Sequence, residues 1–323
     1  MQRKGIRGTW SSPAGISPRA EPTGTKLDRD LRIGRLDVGC VPQVDSYLLT
    51  TDPLLGAYVG PQTGFARMES QINRPINVAV SYTDAANIVA NVFVFEDMFP
   101  GSRKLILSQT LTQPGWDMDD SASGVYDSLY EQAMQNLVPW KHRMLSLRIG
   151  WEFNAHDYPW AVGGAGSNQT PANYAASFAR MAGFARKYLP GVPIDWCSVW
   201  DHDLPDPWYP GDEFVDIVSS DMYVRSAFHP HNFEQLLTGT AGLHWMESFA
   251  NTHGKLMAFP EWATDYDDGA DIINAMVEWM RRPRVNRVLY QCYWNSNEAS
   301  IGSALDDKPI NLAAYKAAFA ERS

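Results

Sequence analysis

The sequence predicts an α/β protein, a (β/α)8 TIM barrel with an N-terminal extension. Three observations point there. Eight short apolar runs, rich in β-branched and aromatic residues, recur between Leu54 and Trp294. Amphipathic segments lie between them, the alternation that a parallel sheet requires. No Gly-rich nucleotide loop follows the first run. Gly60-Pro61-Gln62-Thr63-Gly64 has neither the dinucleotide nor the P-loop spacing, which disfavours an open doubly wound sheet.

Taken in order, residues 1–50 are rich in Gly, Pro, Ser, Thr and charge and are expected to form the extension; 51–323 are expected to form the barrel domain. The strand candidates are Leu54–Gly60, Ile76–Tyr82, Lys104–Leu111, Met144–Glu152, Ile194–Trp200, Val215–Tyr223, Leu256–Glu261 and Val288–Trp294. Most end near Gly, Asp, Asn or Pro, residues that stop strands. Ser123–Val138 and Ala172–Tyr188 carry apolar residues at three-to-four spacing, as Tyr174, Phe178, Met181, Phe184 and Tyr188 do. Thr170-Pro171 supplies a cap and a first-turn proline. Gly269–Arg281 and Leu312–Ala320 read as helices too.

Composition excludes several classes. The 323-residue chain is 45% apolar and 20% charged, which suits a folded domain. The net charge of −10 and the lack of any Lys/Arg run argue against a nucleic-acid partner. No apolar stretch of about 18 residues exists, so no membrane span is expected. Cys40, Cys197 and Cys292 are odd in number and suggest no disulfide framework. A basic start, Met1 to Gly5, is not followed by an apolar core, so no secretory signal is read; secretion would require one already removed. No cofactor is expected, and no metal, because His229-Pro230-His231 resembles a surface turn more than a ligand pair.

A barrel presents its reactive groups at the C-terminal ends of its strands. There the fourth and seventh candidates each deliver a glutamate, Glu152 and Glu261. Strand alternation puts Leu145, Leu147 and Ile149 against the helices, and Ser146, Arg148, Gly150 and Glu152 on the axis. Burying Arg and Glu costs several kcal/mol unless they are paired and hydrogen-bonded. Arg148 and Asp221 could pair with each other or contact substrate. Two carboxyls about 5–5.5 Å apart have a use: one protonates a leaving group while the other attacks the sugar, which is retaining glycoside hydrolysis. Burial and the charge of Glu261 should raise Glu152; Arg148 or Tyr223 should keep Glu261 ionised.

The segment from Trp151-Glu152-Phe153-Asn154 to Pro159-Trp160 resembles the acid/base motif of glycoside hydrolase family 26, at Glu152, Asn154 and Trp160. Phe259-Pro260-Glu261-Trp262 resembles its nucleophile strand, and Ser220-Asp221-Met222-Tyr223 its sixth strand. The resemblance spans about residues 54–320. It implies Glu152 as acid/base, Glu261 as nucleophile, Tyr223 as partner of Glu261, and Trp294 as the floor under the sugar. Family members mostly cut β-1,4-mannan, with some acting on β-1,3-xylan or mixed-linkage β-glucan. The chain departs from the pattern at Trp151, where the mannanases have His, and at Ala155, where Gly is usual.

Seven of the 12 tryptophans, Trp116, Trp151, Trp160, Trp200, Trp208, Trp262 and Trp294, fall at or just after predicted strand ends. Indole faces stack on the C–H faces of pyranoses, and Trp160, Trp200 and Trp294 are the leading candidates. The expected substrate-binding set is Arg148, Trp151, Asn154, Trp160, Trp200, Asp221, Tyr223, Trp262 and Trp294. Asp201-His202-Asp203 adds possible hydroxyl ligands. The expected function is endo-acting, retaining hydrolysis of a neutral β-linked polysaccharide or oligosaccharide. The alternatives are a depolymerase of another glycan, such as a bacterial cell-wall or surface polymer, and an inactive carbohydrate-binding barrel.

Overall fold

The computed structural model describes residues 52–59, 64–83, 87–89, 103–155, 157–162, 164, 166–229, 232–284, 287–298 and 301–320. The expected N-terminal extension with its boundary, Cys40, Gly60 to Thr63, His156 and Pro230-His231 lie outside these residues. Eight parallel strands close a barrel in sequence order: β1 Leu54–Val59, β2 Val78–Tyr82, β3 Lys104–Gln109, β4 Met144–Ile149, β5 Ile194–Val199, β6 Ile217–Val224, β7 Leu256–Thr264 and β8 Val288–Asn295. Parallel neighbours need crossovers. These contain helices α1 Phe65–Ile72, α2 Met118–Ser123, α3 Asp127–Leu137, α4 Pro171–Tyr188, α5 Phe233–Thr238, α6 Leu243–His253 and α7 Ala270–Arg281; α8 Pro309–Ala318 follows β8.

The sequence explains most of these starts and stops. Thr170 precedes α4, its Oγ1 accepting the Asn173 N–H, and Pro171 takes the first helical position. The run expected as one helix over Ser123–Val138 is broken at Gly124, in the left-handed region at φ 94°; it caps α2 with bonds to Asp120 and Ser121. Helices α1, α5 and α6 were not expected from the apolar spacing; α5 is only six residues long.

Inside the barrel, Val78, Val80, Ile106, Leu145, Ile217 and Tyr290 belong to one small apolar cluster. Leu145 corrects the expectation from alternation. The β3–β4 register slips between Leu105 and Ile106, so Leu145 joins this inner cluster while Leu147 and Ile149 pack outward. Above it is a polar layer. The buried Asp195 carboxylate accepts hydrogen bonds from Ser219 and Tyr290, and burial pushes it up to about 6. The reactive groups form the next layer up. Among the described residues, no helix is long and apolar enough to cross a membrane.

Strand β1 lies close to β8 where Gly56 faces Cys292. A Cβ at Gly56 would collide with Cys292 Sγ and the Gln291 carbonyl oxygen, one of them immovable backbone. Gly56→Ala is therefore expected to lower stability by about 1–3 kcal/mol, read as a lower urea midpoint with an unchanged slope.

Candidate active site

Strand ends position the two glutamates by different backbone devices. Strand β4 stops at Ile149; Gly150 (φ 50°) and Glu152 (φ 52°) then turn through the left-handed region. That conformation is disfavoured for glutamate, and the Glu152 N–H is held by the Cys197 carbonyl at 2.9 Å. In β7 the register slips against both neighbours: Ser219 to Met222 in β6 spans Ala258 to Trp262, and so does Tyr290 to Tyr293 in β8. The extra residue lies at Pro260-Glu261, and Pro260 has no N–H to give a ladder. Strict alternation from the inward Ala258 would aim Glu261 outward. The bulge turns it onto the axis and Trp262 to the outside.

The carboxyls meet. One oxygen from each of Glu152, Asp221 and Glu261 lies within 4.8 Å of the other two. Arg148, fully buried, joins them. Its Nη1 donates to both Asp221 oxygens at 2.9 Å, its Nη2 to Glu261 Oε1 at 2.5 Å, and its Nε to Ser108 Oγ at 2.8 Å. Two phenols complete the shell of Glu261: Tyr82 donates to Oε1 and Tyr223 to Oε2, each at 2.6 Å. Burial and the charge of Glu261 push both phenols well above the usual tyrosine range, so they remain donors. These three carboxyls are near enough to share a cation, but the Arg148 guanidinium already supplies positive charge between two of them.

Glu152 has a different environment. Among the described residues no cation pairs with it, and it hydrogen-bonds Asp221. Burial first, and the charge of Glu261 second, raise it to about 7. Burial raises Asp221 as well, while Arg148 pulls it down. Glu152, raised and without such donors, is suited to carry a proton, while Arg148 and two phenols all donate to Glu261. That is the division of labour that acid and nucleophile need.

The other expected residues divide into two groups. A cleft of about 500 Å³ opens over Glu152 and Glu261 and is lined by Trp200, Tyr223 and Trp294 among others; Trp200 is itself buried, its N–H on the Tyr223 carbonyl and its ring against His229, which corrects its expected role as a stacking face. Trp294 is half-buried and stacks on Tyr58 at 3.9 Å, with Tyr223 edge-on. Trp151 turns inward beside Tyr82 and Arg148.

The second group is corrected. Trp160 is fully buried, its N–H donated to the Trp151 carbonyl and its face covered by Tyr158. Trp262 packs outward on Tyr293 and Tyr315, its N–H on Gln291. Neither offers a face to a sugar. Asn154 is buried and ties β4 to the end of β5 through Val199 and Asp203. Arg148 and Asp221 have no exposed surface and bind each other. Trp208 is buried on Phe153, and Trp116 stacks on Tyr126.

Tyr82, Tyr58 and Tyr158 were not nominated from the sequence. Tyr82 ends a predicted strand, so the strand-end rule reaches it once tyrosines are weighed with tryptophans. Tyr158 lies in the Glu152 motif itself. Nothing in the local sequence marks Tyr58, which is set by the pairing of β1 with β8.

The model of glycosyl hydrolase family 26 matches residues 162–261, a run ending on Glu261. Solved structures share the fold. A modular endo-β-1,4-mannanase from Cellulomonas fimi superposes with a TM-score of 0.62 at 16% identity, over 87% of this chain and 74% of that one. A Bacillus subtilis mannanase gives 0.59 at 15%, over 84% and 89%. GH26C from Muricauda sp. gives 0.61 at 10%, over 85% and 88%. No curated protein matches the chain. The chain thus resembles glycoside hydrolase family 26 in sequence over residues 162–261, and shares the barrel fold of these solved structures.

Two outcomes are expected. Because burial outweighs the neighbouring charge, Glu261→Gln should lower the Glu152 pKa from about 7 yet leave it above the ordinary glutamate value, as measured by carbon-detected NMR titration of the carboxyl. Trp160→Ala should act on stability, by about 3–5 kcal/mol in urea unfolding, and not chiefly on the Michaelis constant.

Proposed function

We propose that this family 26-like chain is a retaining, endo-acting glycoside hydrolase of a β-linked polysaccharide that works through Glu152 and Glu261 without a cofactor. The observation that carries this is the meeting of the two carboxyls at a spacing suited to direct attack, in opposite electrostatic environments. A water-mediated, inverting arrangement needs a gap of about 6.5–9.5 Å.

In the first step Glu261 attacks the anomeric carbon and the glycosidic bond breaks. Glu152 gives its proton to the departing oxygen. Tyr82, Tyr223 and Arg148 donate to the Glu261 carboxylate and orient it for attack. In the second step Glu152, now an anion, takes a proton from water, and the water oxygen replaces Glu261 at the same carbon. Arg148 stabilises the Glu261 carboxylate as it leaves. Two displacements on opposite faces restore the starting configuration.

Mannan is the first polymer to try, since the Cellulomonas fimi and Bacillus subtilis neighbours are mannanases. Trp151, in place of the mannanase histidine, makes β-1,3-xylan and mixed-linkage β-glucan the next two.

A panel of these polymers, assayed for new reducing ends, tests the activity. Glu261→Ala should lose several orders of magnitude in turnover, and azide should partly restore it with a glycosyl azide of inverted configuration. Glu152→Ala should slow poor leaving groups far more than good ones, because only the poor ones need the proton. Near-normal rates in both variants would remove the assignment. Glu152 must be protonated to act as the acid, so kcat/KM should fall as pH rises through about 7, and Glu152→Gln should abolish that limb.

A further inference from the structure

Glu261 presents two oxygens, and their surroundings differ. Oε1 accepts Arg148 Nη2 at 2.5 Å and the Tyr82 phenol at 2.6 Å. Oε2 accepts Tyr223 alone among the described residues, at 2.6 Å. A carboxylate oxygen has two lone-pair sites, so Oε1 is filled and Oε2 has one to give. Tyr223 lines the cleft beside Glu261, whereas Tyr82 and Arg148 are not among the described residues that line it. We propose that Tyr82 is a specificity-determining residue: by filling Oε1 it keeps the hydroxyl at C2 of the sugar off the nucleophile. The reaction then does not draw on that hydroxyl, and sugars without it, 2-deoxy sugars, are cut as their parents are. The proposal rests on the glycosidase reading above.

The lone pairs assign the two oxygens. Oε2 forms the bond to the anomeric carbon as the glycosidic C–O bond breaks. The electron pair of that bond leaves with the oxygen that takes the Glu152 proton. Oε1 becomes the carbonyl oxygen of the glycosyl ester, with Arg148 and Tyr82 still donating to it. In the second step water forms the new bond, its proton passes to Glu152, and Oε2 leaves with its electron pair. Oε1 keeps its two protein donors through both steps, and donors aimed in advance at changing charge stabilise a transition state. C2 is bonded to the anomeric carbon, so its hydroxyl is the sugar hydroxyl nearest the attacking carboxylate. Hydrogen bonds to that hydroxyl commonly strengthen in glycosidase transition states. In this chain its place on Oε1 is taken.

The surroundings of Tyr82 hold it to this role. Among the described residues, the polar groups packed with it are already engaged. The nitrogens of Arg148 serve Ser108, Asp221, Glu261 and the Tyr82 oxygen itself. The Tyr58 phenol donates to Glu298 at 2.8 Å. Trp151, 3% exposed, brings an N–H donor and no acceptor. The rings of Tyr58, Trp151 and Trp294 meet the Tyr82 ring edge to face at 5.9, 5.4 and 6.2 Å. Such contacts fix an aromatic ring in one orientation, and this collar keeps the phenol on Oε1.

The experiment removes the hydroxyl. In the manno, xylo and gluco series, kcat/KM is measured on a 4-nitrophenyl β-disaccharide and on its counterpart without the 2-hydroxyl on the sugar next to the nitrophenol. Spontaneous hydrolysis of the same two compounds corrects for their intrinsic reactivity. The corrected ratio, 2-deoxy over parent, reads what the hydroxyl contributes. In the wild type it should lie above about one-tenth, since a hydroxyl bonded to the nucleophile would lower it about a hundredfold. Tyr82→Phe opens a place on Oε1 that only the parent can fill, so the ratio should fall about tenfold. Tyr223→Phe, acting at Oε2, should slow both compounds alike; an equal fall in its ratio overturns the proposal. A wild-type ratio below about one-tenth overturns it too, as does a Tyr82→Phe ratio that rises or falls less than about threefold. Tyr82→Phe keeps the ring in its collar; were it to misfold, the wild-type ratio decides alone. If wild type and Glu261→Ala turn over the parent compounds equally in every series, the glycosidase reading fails and takes this proposal with it. A Glu261-dependent enzyme with a low wild-type ratio overturns this proposal alone.

Discussion

The buried guanidinium of Arg148 is the interaction on which the rest of the site depends. Three carboxyls within 4.8 Å of one another would repel strongly in a barrel interior. Arg148 offers a fork of donors, and the fork is used in full: Ser108 at Nε, Asp221 at Nη1, Glu261 and Tyr82 at Nη2. The rings of Tyr82 and Trp151 each stand 5.4 Å from its carbon. A lysine, with one compact charge, could not span these partners. Two carboxyls are matched directly, and the third, Glu152, is left to carry the proton.

Backbone irregularity aims these groups. The strand ladders alone would send Glu261 away from the axis, and the bulge at Pro260 reverses it. Glu152 reaches the cleft only because Gly150 and Glu152 itself both take left-handed conformations. The barrel supplies a rigid frame, and two local departures from strand geometry convert it into a site.

This explains what the sequence could and could not reveal. Eight apolar runs gave the barrel because β-strand chemistry is local, and the strand-end rule then brought Glu152, Glu261, Asp221 and Tyr223 to one rim. Trp160 and Trp262 misled because residue type does not say which face an indole shows, and the slip that decides Trp262 lies in how β7 pairs with its neighbours. The break at Gly124 was written locally yet overridden by the apolar spacing around it. The hold of His229 on Asp201 joins two loops 28 residues apart in sequence, which no local pattern shows.

The same electrostatics links the two chemical steps of the proposed reaction. Glu152 is raised first by burial and then by the negative charge of Glu261. When Glu261 becomes a neutral ester, the second contribution disappears while burial persists. The proton affinity of Glu152 then falls, just after it has given its proton away and as it must serve as the base. When water displaces the sugar, the charge of Glu261 returns and the affinity of Glu152 rises again, ready for the next leaving group. Arg148 keeps Asp221 as a partner throughout, so the guanidinium is never left unpaired while Glu261 is esterified. One charge appearing and disappearing on the nucleophile can thus reset the acid without movement of the barrel.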